Sequence, residues 1–281
     1  GTIVRGTGGS FSLASGPVGA PFFGVWAAGN TQAYAVGVDG MAMHYDGTAW
    51  TAQAGGTAEW LLGVWGSSAA NVYAVGTGGA IQHYDGTSWT SEGVDSAATM
   101  HAVWGSGPSD VYAVGEAGAV LHWDGAAWSP VDVGEIQDWM AVWGSGPGDV
   151  WLVGIAGAAV HWDGSTWTPH PIDSGEHLFG VWGAAADDVW AVGNNGEMDH
   201  WDGTAWTQVN SGTWLPLTAI SGSDANNVYA VGLFGSVVRR KGSEWLPMST
   251  ATDANLTGIT VPSAGKAFAV GWNGVLLTGS R

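Results

Sequence analysis

Cysteine is absent from the sequence, and basic residues are scarce. Without cysteine the chain can form no disulfide, no thiolate-ligated zinc site and no thiol nucleophile. Only six Lys and Arg stand against 24 Asp and Glu, which gives a formal net charge of -18. Such a charge repels phosphate backbones and anionic lipid surfaces. We therefore expect neither nucleic acid nor a membrane surface as a partner.

Long hydrophobic runs are also missing. No segment approaches the length of a membrane span, and no basic stretch followed by an apolar run opens the chain, so we expect no membrane insertion. Glycine and tryptophan, by contrast, are abundant, with 48 and 20 copies in 281 residues. Glycine destabilises helix interiors, and no window shows a sustained 3.6-residue apolar period. The composition indicates strands joined by tight turns.

The chain repeats itself every 39 residues without an insertion. The apolar residue that marks each of the seven units is Val25, Val64, Val103, Val142, Val181, Ile220 or Ile259. In the third unit, the segments "MHAVWG", "VYAVG", "AVLHW" and "AAWSPV" read as four short strands separated by turn formers. Four strands in a period near 40 are typical of a β-propeller blade. The predicted fold is all-β, a seven-bladed β-propeller of antiparallel strands that forms a single domain over residues 1–281.

The ends of the chain predict how the ring closes. The last unit lacks a fourth strand, and "SFSLAS" at residues 9–14 can supply it, which would leave no open sheet edge. The segment at residues 1–6 duplicates the third strand at 274–279, and the sequence leaves open which of the two occupies the closing blade.

A short motif, "HWDG" or "HYDG", occurs in five units and is followed by Trp four residues after its Asp. A ring needs a hairpin in every blade but does not need a catalytic group in every blade. We therefore predict that Asp accepts hydrogen bonds from turn N–H groups, that Gly takes a positive φ and that Trp is buried between blades. The predicted structural residues are Asp46, Asp85, Asp124, Asp163, Asp202, Trp50, Trp89, Trp128, Trp167 and Trp206.

"HWDGSTW" resembles a variant of the Asp-box of sialidase-type (BNR) propellers. The longer unit "VWGSGPSDVYAVGEAGAVLHWDGAAW" is similar to repeats of exported bacterial propellers and of propellers of the photosystem II assembly-factor kind. The resemblance covers essentially the whole chain. It implies the fold and a secreted, cell-surface or periplasmic location, with a signal peptide lying outside this sequence. It does not define a function, because those families include hydrolases, binding proteins and assembly factors.

Candidate ligand-binding residues lie between paired glycines that recur in every unit as G-x-x-G, and in the neighbouring rim segments. The two residues between the glycines differ in every unit, as expected either of loop tips without constraint or of a surface that reads a ligand. Aromatic rings beside carboxylates and amides suit a saccharide or protein ligand. The candidates are Asp39, Trp60, Glu116, Asp138, Trp139, Asn194, Asn195, Phe234, Trp272 and Asn273. Of these, Trp60 and Trp139 can instead fill the core.

Catalysis and metal binding are less favoured than simple binding. The sialidase reaction requires a cluster of three arginines, and the chain has only four, two of them adjacent at Arg239 and Arg240. The five motif histidines, one per blade, cannot converge on one ion. We assign no catalytic residue, no metal and no cofactor.

The sequence therefore predicts a monomeric, non-enzymatic module that binds carbohydrate or protein at the face with the G-x-x-G loops. Two alternatives stay open, a hydrolase or lyase with a shallow carboxylate site on that face and a multivalent lectin with sites between blades. A pure scaffold is the least specific possibility.

Overall fold

The computed structural model describes residues 10–13, 19–94 and 96–280. Within these ranges, 28 strands form seven antiparallel four-stranded sheets. Six sheets each use consecutive strands, namely blades I (β2–β5), II (β6–β9), III (β10–β13), IV (β14–β17), V (β18–β21) and VI (β22–β25). The seventh, blade VII, is composite and has the order β1-β28-β27-β26, so that both ends of the chain meet in one sheet.

Each sheet runs from an inner to an outer strand. The inner strands are Phe22–Ala27 (β2), Leu61–Ser68 (β6), Met100–Gly107 (β10), Trp139–Gly146 (β14), Leu178–Ala185 (β18), Leu217–Asp224 (β22) and Leu256–Ser263 (β26). The second strands are Ala33–Gly37 (β3), Asn71–Gly76 (β7), Asp110–Gly115 (β11), Asp149–Gly154 (β15), Asp188–Gly193 (β19), Asn227–Gly232 (β23) and Lys266–Gly271 (β27).

The third strands are Met41–Tyr45 (β4), Ile81–Tyr84 (β8), Val120–Trp123 (β12), Ala159–Trp162 (β16), Met198–Trp201 (β20), Val237–Lys241 (β24) and Val275–Ser280 (β28). The outer strands are Trp50–Ala54 (β5), Trp89–Ser91 (β9), Trp128–Pro130 (β13), Trp167–Pro169 (β17), Trp206–Gln208 (β21), Glu244–Pro247 (β25) and Ser10–Leu13 (β1). One 3-10 turn joins the second and third strands of each sheet: Val38–Gly40, Thr77–Gly79, Glu116–Gly118, Ile155–Gly157, Asn194–Gly196, Leu233–Gly235 and Trp272–Gly274.

The closing blade takes its third strand from the C-terminal end, since β28 pairs with both β27 and β1. The register places Phe11 opposite Gly279 and Leu13 opposite Leu277. The duplicate segment at residues 1–6 lies outside the described residues. Strand lengths differ from the sequence prediction in blade III, where the inner strand extends to Gly107 and the outer strand is limited to Trp128–Pro130.

The core is divided among the junctions between blades. Seven clusters of buried side chains each draw on two neighbouring sheets, and the inner strands contact one another in a closed cycle from β2 to β26 and back to β2. At the junction of blades IV and V, for example, Trp151 packs against Trp201 and Trp206. Each sheet therefore buries both faces against its neighbours, which explains why the second strands are apolar on both faces.

Inner-strand tryptophans pack against the next blade, always in the same direction around the ring. A Cβ atom built on Gly144 would lie 2.6 Å from the ring of Trp104, which belongs to the preceding blade. The same close approach joins Trp26 to Gly66, Trp65 to Gly105, Trp143 to Gly183 and Trp182 to Gly222. The contact is interrupted on both sides of blade VII, where Ser221 and Thr260 occupy the Trp position and Val261 and Ala27 occupy the Gly position.

Candidate functional site

The aspartates of the repeated motif lie at the turn between the third and outer strands, as predicted. The Asp85 carboxylate accepts hydrogen bonds from the backbone N–H of Thr87 at 2.8 Å and of Ser88 at 2.9 Å, and from the Thr87 hydroxyl. These donors lower the pKa of Asp85 to about 2. The same N–H contacts occur at Asp46, Asp124, Asp163 and Asp202. Gly86, the next residue, has φ +96°, so the motif is a turn and not an active site.

The motif histidines and tryptophans also have structural contacts. The His122 ring packs against that of Tyr112 with 4.4 Å between ring centroids, and its Nε2 lies 2.6 Å from Asp110 Oδ1 on the second strand. Equivalent contacts join His44 to Gln32, His83 to Asn71, His161 to Asp149 and His200 to Asp188. Trp50 and Trp89 are buried, and Trp128, Trp167 and Trp206 are partly buried and pack at junctions between blades. None of these five histidines approaches the axis of the ring.

The channel mouth opens on the face that carries the G-x-x-G turns. It is lined by the second residue of each inner strand, one from every blade: Phe23, Leu62, His101, Met140, Phe179, Thr218 and Thr257. Asn194 and Leu233 of the neighbouring turns also line this space of about 390 Å³. Deeper in the channel the lining includes Gly24, Gly63, Ala102, Ala141, Gly180, Ala219 and Gly258. The mouth is thus a cup with four large apolar side chains, Phe23, Leu62, Met140 and Phe179.

Three predicted aromatic residues are exposed on this face. Trp60 stacks on Phe23 with 5.8 Å between ring centroids, so it extends the apolar lining outward. Phe234 is 66% exposed and Trp272 is half exposed, each on a G-x-x-G turn. The fourth, Trp139, is fully buried and packs in the core between blades III and IV. Its place in the predicted ligand surface is therefore wrong, because the first residue of each inner strand points into the core.

The predicted polar residues divide into exposed side chains and loop braces. Asp39 and Asn273 are exposed turn residues with φ 52° and 59°. The Glu116 carboxylate lies 4.0 Å from Nε2 of His101 at the mouth, and Asn194 lines the mouth directly.

Asp138 and Asn195 instead brace loops. Asp138 accepts a hydrogen bond from the Ala117 N–H at 2.7 Å, and Asn195 donates one to Glu176 at 3.0 Å. Of the predicted ligand-binding residues, the structure therefore places Trp60, Glu116 and Asn194 at the channel mouth. The other exposed candidates lie on the surrounding turns.

The second residue of each 3-10 turn is in the left-handed region of backbone space. Gly78, Asn195, Asn273 and Asp39 adopt this conformation at little cost, whereas Ala117, Ala156 and Phe234 do so with strain. Phe234 combines φ 55° with an exposed aromatic ring. Strain held at an exposed residue is a common property of ligand-contacting positions.

Charge on the mouth face has a single sign among the described residues. The acidic residues of its turns and of the outer-to-inner-strand connections are Asp39, Glu59, Glu92, Glu116, Asp132, Glu135, Asp138, Asp173, Glu176 and Asp253. The described basic residues are Arg239, Arg240, Lys241 and Lys266, which lie toward the opposite end of the strands. Burial lowers the pKa of His101, so that this ring residue is neutral at physiological pH.

Two features of this geometry were missed by sequence reasoning. The ring of mouth residues repeats at the 39-residue spacing, but its side chains differ so much that they carry no motif. The buried acids Glu197 and Asp199 were also missed. An alignment of the seven units would have revealed them, because the other units have apolar or small residues at most of the positions equivalent to Glu197 and Asp199.

Large helices and metal clusters are lacking in what the structure describes. Over residues 10–13, 19–94 and 96–280, no helix is long and apolar enough to cross a bilayer. The same ranges contain no group of three or more His, Asp or Glu side chains placed to hold a metal ion.

Solved structures similar to this chain are β-propellers. YCF48 bound to a D1 peptide matches with a TM-score of 0.81 and 18% identity over 100% of both chains. A streptogramin B lyase matches with a TM-score of 0.83 and 12% identity over 96% of both chains. The WD40 β-propeller domain of Doa1 matches with a TM-score of 0.79 and 9% identity over 98% of both chains. At these identities the likeness establishes the propeller fold alone.

The family assignment expected from the sequence is corrected by these comparisons. No family model matches the chain, and no curated protein matches its sequence. Membership in the sialidase-type Asp-box family, or in an exported bacterial propeller family, is therefore unsupported. The turn with its Asp and Trp is a property of the repeat, and such a turn stabilises a blade whatever the protein does.

Proposed function

We propose that the protein is a non-enzymatic binding module that takes a basic, partly apolar polypeptide segment at the channel mouth. The observation that carries this proposal is the combination of an apolar cup with an acidic rim that has no described Lys or Arg. Apolar side chains of a ligand would be buried in the cup, and its basic groups would face the rim. The YCF48 structure with a D1 peptide is a propeller of the same architecture with a peptide ligand, and it supports a polypeptide over other ligands.

The electrostatics also favour a basic ligand over carbohydrate. The negative charge of the mouth face attracts a cationic segment over several ångströms, whereas a neutral glycan carries no charge on which this attraction can act. The exposed rings of Trp60, Phe234 and Trp272 suit either ligand. Repeated lectin sites between blades would require equivalent clefts, and the large clefts lining blade V depend on residues that the other blades lack. Export of the chain to the cell surface or periplasm stays a prediction.

The test is a peptide array in which Lys, Arg, Leu and Phe content is varied, run beside a glycan array. Phe179→Ser removes one wall of the cup, and we expect it to weaken peptide binding by more than about tenfold. Ile136→Ser is the matched control, because Ile136 is 85% exposed on the same face but lies outside the cup. Binding should also weaken as salt rises. Binding to glycans alone, equal effects of both substitutions or indifference to salt would each reject the proposal.

A lyase or hydrolase remains the second candidate, because one histidine and one carboxylate approach each other at the mouth. His101 is neutral and lies 4.0 Å from Glu116, which is the arrangement of a general base beside a carboxylate. The streptogramin B lyase shows that this architecture can carry an enzyme. A substrate turned over by the wild type and not by His101→Ala would favour this candidate.

A further inference from the structure

Blade V carries two buried acids that most other blades replace with apolar or small residues. Glu197 and Asp199 are 6% and 3% exposed. At the positions equivalent to Glu197 and Asp199, blade III has Ala119 and Leu121, and blade IV has Ala158 and Val160. Burying a carboxyl without a cationic partner is unfavourable by several kcal/mol. Blade II also has a polar residue, Gln82, at the position equivalent to Asp199, but blade V is where the repeat places two buried acids together.

The two acids lack a cation and lie side by side. Glu197 directly precedes β20 and Asp199 lies within it, so the two side chains, two residues apart in extended backbone, are on the same face of the sheet. Glu197 accepts a hydrogen bond from Gln208 Nε2 at 2.9 Å through one oxygen, while its Oε1 and the Asp199 Oδ2 accept none from any other described group, so a hydrogen bond between the two carboxyls is what joins them. Burial and the neighbouring Glu197 raise the pKa of Asp199 to about 7. The pair therefore retains one proton where a cation would otherwise sit.

Asp199 and Gln208 line a cleft of about 660 Å³ between blades IV and V. The other walls are aromatic, with Trp201 and Trp206 from blade V and His170 from the connection between β17 and β18. His170 lies edge-on to Trp201 with 4.9 Å between ring centroids. The titratable groups facing the pair across the cleft are His170 and Asp173, and burial lowers the pKa of His170. No described Lys or Arg lines this cleft.

We propose that this cleft, which we call the IV–V cleft, binds a primary ammonium group such as a lysine side chain, seated on Asp199 between the aromatic walls, with the neighbouring Glu197 adding to the negative charge. An ammonium group offers N–H donors to the Asp199 carboxylate and a positive charge, which replaces the proton that the pair retains. The indole faces attract a cation by about 0.5 to 2 kcal/mol in sites of this kind. The site shares no residue with the lining of the channel mouth and stands independently of the peptide-binding proposal.

The probe is Nα-acetyl-lysine methylamide, with Nα-acetyl-norleucine methylamide as an uncharged analogue that has a similar alkyl chain. Titration calorimetry on the full chain should show one saturable site for the lysine compound and at least tenfold weaker binding of the norleucine compound. Binding should be weaker at about pH 5.5 than at about pH 8, because protons compete with the ammonium for the carboxyl pair. Equal binding of both compounds, or no binding at either pH, would overturn the proposal.

The decisive variant is the double substitution Glu197→Ala with Asp199→Val, which introduces the residues that blade IV has at these positions. We expect it to abolish lysine binding and to raise the thermal midpoint, since apolar residues replace an uncompensated pair. Loss of folding is therefore not the expected reason for loss of binding, and the thermal midpoint checks this directly. Asp187→Asn, an exposed acid of the same blade, is the control for net charge and should bind as the wild type does.

The mouth variant separates the two proposals. Phe179→Ser should leave lysine binding in the IV–V cleft unchanged, whereas the double substitution should leave peptide binding at the mouth unchanged. Retained lysine binding in the double variant would place the ammonium group elsewhere and reject the site.

Discussion

Acidic side chains of this protein lie in two different environments, exposed turns and the buried interior of blade V, and the environment determines whether the carboxyl is charged. The five turn aspartates are exposed and accept two or more hydrogen bonds each, which lowers the pKa of Asp46, Asp85 and Asp202 to about 2. Glu197 and Asp199 are buried with few donors, and the pKa of Asp199 is raised. The first group therefore stabilises turns in its charged form, while the second is a pair of carboxyls that retains a proton.

Asp85→Asn tests the turn contribution through its pH dependence. The pKa of Asp85 is lowered on folding, so its stabilisation is complete above about pH 4 and is lost as pH falls through about 2. The variant should have a lower thermal midpoint than the wild type at neutral pH, and the difference should shrink toward about pH 2. Calorimetric scans of both proteins across this range measure it.

Asp187→Asn is again the matched control, because it removes an exposed negative charge from a position outside these five turns. A difference between Asp85→Asn and wild type that stays constant down to about pH 2 would mean that the charge of Asp85 does not stabilise the turn.

The residue scale is also where sequence reasoning succeeded and failed most clearly. The role of Asp85 was predictable because the same turn recurs in five units and each copy tests the others. Trp139 was misassigned because an aromatic ring at a rim position looks the same in sequence whether it points outward or inward. Its neighbour Met140 lines the mouth, so a single step along the strand reverses the role.

At the scale of the strand, the inner strands depend on a small residue at the point where a neighbour's indole lies. The Cβ of any larger residue at Gly144 would fall 2.3 Å from the Asp149 carbonyl oxygen and 2.6 Å from Trp104. The sequence shows this glycine in five units, yet only the structure shows what lies against it, which is a carbonyl of its own blade and the indole of the preceding blade. A comparison of the repeats does not show that the Trp of one blade packs on the Gly of the next, because every unit that has the Gly is preceded by a unit that has the Trp.

Gly144→Ala should therefore lower the free energy of unfolding by about 1 to 3 kcal/mol through overpacking. Gly146→Ala, two residues later in the same strand, is the matched control, because a Cβ there meets nothing within 4 Å. We expect the control to change the free energy by less than about 0.5 kcal/mol. Urea unfolding of the two variants gives the comparison, and equal destabilisation would show that crowding by Asp149 and Trp104 is not what requires glycine at position 144.

On the scale of the whole molecule, the ring is closed by hydrogen bonds between its first and last described strands. β1 pairs with β28 along four residues, from Ser10–Ser280 to Leu13–Leu277. Without β1, the outer edge of β28 would expose unpaired backbone groups, which is the usual route to association through sheet edges. The 39-residue spacing was enough to predict this closure at residues 9–14, since the remainder of the chain leaves one strand missing.

Deleting residues 1–13 removes β1 and should lower the thermal midpoint by about 5 °C or more and cause self-association. A chain that begins at Ser10 keeps the strand and serves as the control. Light scattering after size exclusion, together with thermal scans, measures both effects. A monomeric deletion variant of unchanged thermal stability would mean that pairing with β28 contributes nothing to closure.

The function was less predictable than the fold at this scale. The repeat specifies the blades because every copy must form the same four strands. A strand that is ambiguous in one copy can therefore be assigned by comparison with the other copies. A binding site on a ring arises from the positions at which the copies differ, and one sequence cannot separate useful differences from neutral ones. Phe23, Leu62, Met140 and Phe179 became recognisable as one surface only when the ring was closed.

The one-way order of the inner-strand indoles has a mechanical consequence. Five consecutive junctions are locked by a ring inserted from the blade before, and the two junctions that lack this lock both belong to the composite blade. Hydrogen bonds cross these two junctions instead, since Ser221 Oγ accepts one from the Val261 N–H and the Thr257 hydroxyl donates one to the Phe22 carbonyl. The composite blade is therefore joined to its neighbours by polar contacts at the two junctions where the indole contact is absent.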